Sequence, residues 1–180
     1  MKDIKPWMAV GALVAAGGLL VACGSSGGMT DATSDPEEMA ELVEQGLAGE
    51  ETVTCVVSGT DEGTVYLASE EQFRFDGEVD GASPSMVSTG DEVFIWVDGE
   101  DTGASLSGAE VPLFQAMMVD EIFGELSASD AGDIDECGVY TGGDGVFSKP
   151  DKVDFLTIES DADFAELEDS APRLVDLMFD

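Results

Sequence analysis

The chain has 180 residues, of which 43% are hydrophobic and 26% charged, which suits one domain with a sizeable core. Six basic residues stand against 40 acidic ones, a formal charge of −34, and histidine is absent. That field disfavours nucleic acid and other polyanions, whose binding rests on Lys and Arg neutralising phosphate, and a chain without histidine has neither Ser-His-Asp nor Cys-His catalysis and lacks a principal zinc ligand.

The first element is an export signal. Lys2 and Lys5 make a short positive start, and residues 6–22 carry no charge and end in small side chains. The apolar core is short for a membrane span. Leu20-Val21-Ala22-Cys23 resembles the bacterial lipobox, which implies diacylation of the Cys23 thiol, cleavage of residues 1–22 and a lipid anchor on the cell membrane or outer membrane. The other reading, an uncleaved transmembrane anchor, also places the rest of the chain outside the cytoplasm. Two or more acyl chains are needed for durable attachment. Without residues 1–22 the chain keeps four basic and 39 acidic residues, a charge of −35. Such self-repulsion is screened within about 10 Å at 0.1 M salt and about 3 Å at 1 M, so a saline habitat and a merely soluble acidic surface both fit. Residues 23–34 are Gly- and Ser-rich after Cys23 and read as a flexible tether.

Residues 35–180 read as a single globular domain. Asp35 caps a helix, Pro36 opens it and Glu38 completes a capping box; Met39, Leu42, Val43 and Leu47 then form an apolar stripe that needs a docking partner. Short alternating runs follow at residues 52–58, 64–69, 72–76, 93–97 and 103–107, separated by turn residues, and the short connections imply an antiparallel meander. Residues 84–88 read as an edge or bulged strand because Pro84 cannot donate to a ladder. Val93-Phe94-Ile95-Trp96-Val97 is apolar on both faces, as in a strand covered on two sides or lining a hydrophobic concavity. Residues 112–126 are the strongest helix, with Leu113, Phe114, Met117, Met118, Ile122, Phe123 and Leu126 on a broad apolar face. Such a Met-rich face serves either as core or as an adaptable binding surface. An acidic loop through Cys137, a glycine-rich turn at residues 142–145, a strand at residues 153–158 and two short helices, beginning at Ser160 and Ser170, complete the chain.

With Cys23 assigned to lipid, Cys55 and Cys137 remain as a pair, and an exported chain makes a disulfide the default. A redox-active pair lacks the CxxC spacing. Carboxylates are too numerous to single out a hydrolase pair. Asp133, Asp135, Gly138 and Asp144 imitate calcium-loop spacing, but position five is Cys137 and position twelve is Asp, so a solvated acidic loop is the reading adopted over calcium binding and no metal is assigned. Arg74 lies between Phe73 and Phe75, where it can form a cross-strand ion pair or orient a ligand carboxylate.

Thr64-Val65-Tyr66-Leu67, Phe73-Arg74-Phe75-Asp76, Asp91-Glu92-Val93-Phe94-Ile95-Trp96, Cys137 and residues 149–155 together resemble a group of bacterial lipobox lipoproteins with one cysteine pair. More distantly, the succession helix, meander, helix resembles the LolA/LolB/LppX-like carriers. That likeness implies an incomplete barrel cupping a helix over a cavity for acyl chains, although fold likeness alone does not confer function. The expected architecture is therefore α+β: a curved, half-barrel-like antiparallel meander with the helix at residues 112–126 on its concave face and one disulfide. The expected function is non-catalytic. A hydrophobic ligand, lipidated partner or envelope protein would occupy a sheet–helix groove lined by Phe94, Trp96, Phe114, Met117 and Met118, with no cofactor and a monomeric chain. The alternative is a surface or structural lipoprotein with no small-molecule ligand.

Overall fold

The alternating runs assemble into one sheet. A computed structural model describes residues 28–58, 62–79, 81–109, 111–123 and 134–179. Its strands are β1 (Met29–Thr33), β2 (Val53–Val57), β3 (Glu62–Leu67), β4 (Gln72–Glu78), β5 (Pro84–Thr89), β6 (Glu92–Val97), β7 (Thr102–Ser107), β8 (Ile134–Tyr140) and β9 (Asp154–Thr157). The order across the sheet is β1-β8-β2-β3-β4-β5-β6-β7-β9, and the sheet is open. All neighbours are antiparallel except β7 and β9, which run parallel. Four helices complete an α+β architecture: α1 (Pro36–Leu47), α2 (Val111–Phe123), α3 (Asp161–Ser170) and α4 (Pro172–Phe179).

Helix α1 starts where its capping residues require. The Asp35 carboxylate accepts from the backbone N–H groups of Glu37 and Glu38 at 3.0 and 3.4 Å. Glu38 does not close the expected capping box on Asp35. Its Oε2 accepts instead from the Thr33 hydroxyl at 2.6 Å, and that hydroxyl in turn accepts from the Asp35 N–H. Thr33 is the last residue of β1, so the cap also fixes the strand-to-helix corner. Met39 and Val43 are buried on the docking face, with Leu42 and Leu47 partly buried beside them. Helix α3 opens with a related device: the Asp163 carboxylate accepts from the Ser160 hydroxyl and the Glu159 N–H. These bonds, the Ser160 hydroxyl foremost, hold its pKa below the ordinary aspartate value.

Strand periodicity of two divides the sheet residues between two apolar layers. One layer gathers Val53, Cys55, Val65, Leu67, Phe73, Met86, Val93, Ile95, Val97 and Ala104 with side chains from α1, α2, α3 and α4. The opposite face carries Val87, Phe94, Trp96 and Tyr140, covered by Val146 and Phe147 from a 3₁₀ turn (Asp144–Phe147) and flanked by Tyr66, Val153 and Phe155. Strand β6 is thus apolar on both faces because both are covered, the first of the two arrangements its sequence allowed. Phe155 stacks edge-on against Phe94, with ring centroids 5.1 Å apart, and lies over Gly103. A Cβ at Gly103 would come within 2.7 Å of that ring and of the Ile95 carbonyl, so the close approach of β9 depends on glycine there.

The expected disulfide is present. Cys55 and Cys137 face each other in the β2–β8 register with Cα atoms 4.1 Å apart, both buried in the helix-side layer. Three local expectations are corrected. Residues 29–33, placed by composition in the tether, form β1, paired to β8; an edge strand with mostly exposed side chains needs little apolar character. Residues 84–88 are not an edge: β5 lies between β4 and β6, and Pro84 is tolerated because it is the strand's first residue. Residues 134–140, read as part of an acidic loop, form β8, paired on both sides.

A candidate binding surface on the second helix

Helix α2 leaves the end of β7 through Gly108, whose carbonyl accepts from the Val111 N–H. Val111 is buried, and Phe114, Met118 and Val119 pack partly buried on the helix-side layer. Among them is a polar anchor, Gln115, only 4% exposed. Its side-chain amide donates to the Ser88 hydroxyl at 2.8 Å, the Gly90 carbonyl at 3.0 Å and the Glu71 carbonyl at 3.3 Å. One side chain therefore pins the helix to the β3–β4 and β5–β6 turns and satisfies carbonyl groups that those turns leave without ladder partners. Ser88 Oγ donates to the same Glu71 carbonyl at 2.7 Å.

The pinning of Gln115 sets what the helix exposes. At 100° per residue, positions two before and two after lie about half a turn away. Those positions are Leu113 and Met117, 66% and 54% exposed, the large hydrophobic side chains among the described residues that stand open to solvent. They are four residues apart and so adjacent on one helix face. On the Gln115 side of the helix is a cleft of about 370 Å³ lined by Glu70, Glu71, Pro112, Gln115, Ala116 and Val119. Exposed apolar side chains on a helix flanked by acidic side chains make a surface suited to contact.

The five residues expected to line one groove are not brought together. Phe94 and Trp96 lie on the far face of the sheet under the 3₁₀ turn, Phe114 and Met118 lie in the helix-side layer, and Met117 points to solvent. The reason is parity: Phe94 and Trp96 alternate with Val93, Ile95 and Val97, which face the helix-side layer that also takes Phe114 and Met118. Gln115, Glu70 and Glu71 did not stand out in the sequence. The signal that could have found Gln115 is a lone polar residue inside the apolar face of the chain's most hydrophobic helix.

Arg74 is engaged within the fold. Its Nε donates to the Asp76 carboxylate two residues along the same strand at 2.7 Å, its Nη1 donates to the Val146 carbonyl at 2.9 Å, and its guanidinium lies 5.6 Å from the Trp96 ring centroid. The expected ion pair is thus along the strand, and the cation holds the 3₁₀ turn in place. Lys149 does likewise, with its Nζ 4.3 Å from the Phe94 ring centroid. The calcium-like spacing falls on β8, where extended, doubly paired backbone replaces the loop a calcium cage needs, and Asp135 accepts from Ser58; Asp133 lies outside the described residues. Among the described residues no three Asp, Glu or Cys side chains converge as metal ligands, and no helix is long and apolar enough to cross a membrane. Cys23 and residues 1–22 lie outside the described residues. No family model matches the sequence, and no curated protein or solved structure is similar to it.

Proposed function

We propose that this is a lipid-anchored, extracytoplasmic, non-catalytic protein that acts by binding a hydrophobic or lipidated partner. The anchor rests on the lipobox at Cys23. The Cys55–Cys137 disulfide supports an oxidising compartment. The observation that carries the binding reading is the outward apolar pair Leu113 and Met117, exposed on a helix whose Gln115 side meets the acidic turn at Glu70 and Glu71. Contact is placed on the outside of α2, because the layer between helices and sheet is filled by side chains such as Val93, Val97, Leu167 and Leu174, all fully buried. A half-barrel with an internal acyl-chain cavity would need that layer to open.

Metabolic labelling with palmitate tests the anchor: wild-type chain takes up label, and Cys23→Ser loses both label and membrane association. Label retained in Cys23→Ser, or absent from the wild type, refutes it. The filled layer favours a second reading, a surface lipoprotein with no small-molecule ligand. Native mass spectrometry of detergent-extracted protein separates the two, since a bound lipid mass beyond the covalent anchor that is lost in Leu113→Ser/Met117→Ser supports binding on α2 and the absence of any such mass supports the surface reading.

A further inference from the structure

The described chain begins, at Gly28, at the same end of the sheet as the start of α2. Neighbouring strands from β1 to β7 alternate in direction, so the starts of β1, β2, β4 and β6 and the ends of β8, β3, β5 and β7 share one end of the sheet. The chain enters there: the Gly28 carbonyl accepts from the N–H and hydroxyl of Thr141, directly after β8. Only five Cα-to-Cα steps separate Cys23 from Gly28, a reach of about 17 Å at full extension. A lipid on Cys23 therefore holds this end within about two screening lengths of the bilayer at 0.1 M salt.

That end is acidic and, among the described residues, unbalanced by cations. Glu50, Glu51, Glu70, Glu71, Asp91 and Glu92, all exposed, lie on its turns and strand ends. Among the described residues its turns and strand ends carry no Lys or Arg. Arg74 is committed to Asp76 on the sheet face, Lys149 lies over Phe94, Lys152 sits in the turn before β9 begins at the opposite end, and the Arg173 N–H donates to Glu100 in the turn between β6 and β7 there. The outward apolar pair Leu113 and Met117 stands on the first turns of α2, which Gln115 pins to this end. An anionic bilayer is repelled by such a surface. A cationic amphipathic segment fits it, because its apolar side meets Leu113 and Met117 while its Lys or Arg meet the carboxylates on the turns of this end.

We propose that the membrane-facing end of the molecule docks a basic amphipathic segment of a membrane-associated protein on Leu113 and Met117 of α2. This rests on the lipid-anchored reading above for its orientation, and it names the partner of the same surface.

The test uses the full lipidated chain in phosphatidylcholine vesicles and, as probe, a fluorescent amphipathic peptide of leucine and lysine. Expected are binding that weakens as salt rises, at least ~10-fold weaker binding with Leu113→Ser/Met117→Ser, and a similar loss with a scrambled, non-amphipathic peptide of the same composition. Glu70→Gln/Glu71→Gln should weaken binding several-fold at low salt and little at ~1 M. Met117→Lys, at an exposed site that leaves the fold intact, should weaken it further by charge. A photoreactive residue in place of Leu113 should crosslink to peptide. Binding that ignores the Leu113 and Met117 substitutions, equal binding of the scrambled peptide, or crosslinking to lipid with peptide present overturns the proposal. The palmitate label reads the anchor independently, so an unlabelled Cys23 overturns the anchored reading, whereas a peptide titration blind to α2 overturns this one.

Discussion

Replacing both Cys55 and Cys137 with alanine should cost this protein a large part of its stability. The bond spans 82 residues, and closing such a loop in the unfolded chain corresponds to about 4.5 kcal/mol at 25 °C in the loop-entropy account. Both sulfurs are buried in the helix-side layer, so their removal adds about 1 kcal/mol of lost packing. The sum, about 5–6 kcal/mol, compares with a total of about 5–15 kcal/mol for a domain. Its location explains why the loss should not stay local: β8 joins the sheet through β2, and β1 joins through β8, so the bridge staples two strands that no short loop holds. Urea unfolding of wild type and the double variant measures the difference. In a thermal scan it appears as a fall of about 10–20 °C for a domain of this size. The entropic account further requires the variant's m-value to rise, because its unfolded chain is no longer cross-linked, and its calorimetric enthalpy to stay close to wild type at equal temperature. A loss below about 2 kcal/mol, or an enthalpy change that accounts for the whole loss, would refute the reasoning.

Three further outcomes are expected. Melting temperature should rise between ~0.1 and ~1 M salt, as screening of the −34 charge tightens; a flat profile removes self-repulsion as a factor. Gln115→Leu should destabilise by about 1–3 kcal/mol, since the Gly90 carbonyl and the Ser88 hydroxyl lose the amide donor while the Glu71 carbonyl keeps only Ser88, and amide exchange in α2 should quicken; unchanged exchange would show that Gln115 does not pin the helix. Asp163 should titrate below the ordinary aspartate value by NMR, because the Ser160 hydroxyl and Glu159 N–H favour its charged form. With the folded pKa depressed, its contribution is present above the unfolded pKa and is lost as pH falls through the folded one, so Asp163→Asn should flatten the stability profile in that acidic window. A titration at or above the ordinary value would sink this.

Much of the local structure was legible because its signals are local. The cap at Asp35 and Pro36 and the meander from β2 to β7 all follow from residues close in sequence, and the paired Cys55 and Cys137 follow from compartment chemistry. Strand β8 was hidden because Asp135, Glu136 and Gly138 interrupt its alternation, and it lies beside β2 only through a connection of some eighty residues. Strand β1 was hidden because an edge strand with exposed side chains looks like a polar linker. The candidate surface was half legible: Leu113 and Met117 were placed on α2's apolar face, but their direction was not, since the apolar residues of that helix cover more than the face it can bury.

By itself, then, the sequence determined the charge, the absence of histidine, the lipobox-like pattern that motivates the anchor proposal and the periodicities that make helices and strands, all of which depend on composition or near neighbours. Tertiary structure decided which face of each element is covered. Phe94 and Trp96 went beneath the 3₁₀ turn and Phe114 turned into the helix-side layer, while Leu113 and Met117 were left facing water at the end where the chain enters. Burial is a property of surfaces that meet in space, and here they meet through strand pairings far apart in the chain and through one buried glutamine at a pair of turns.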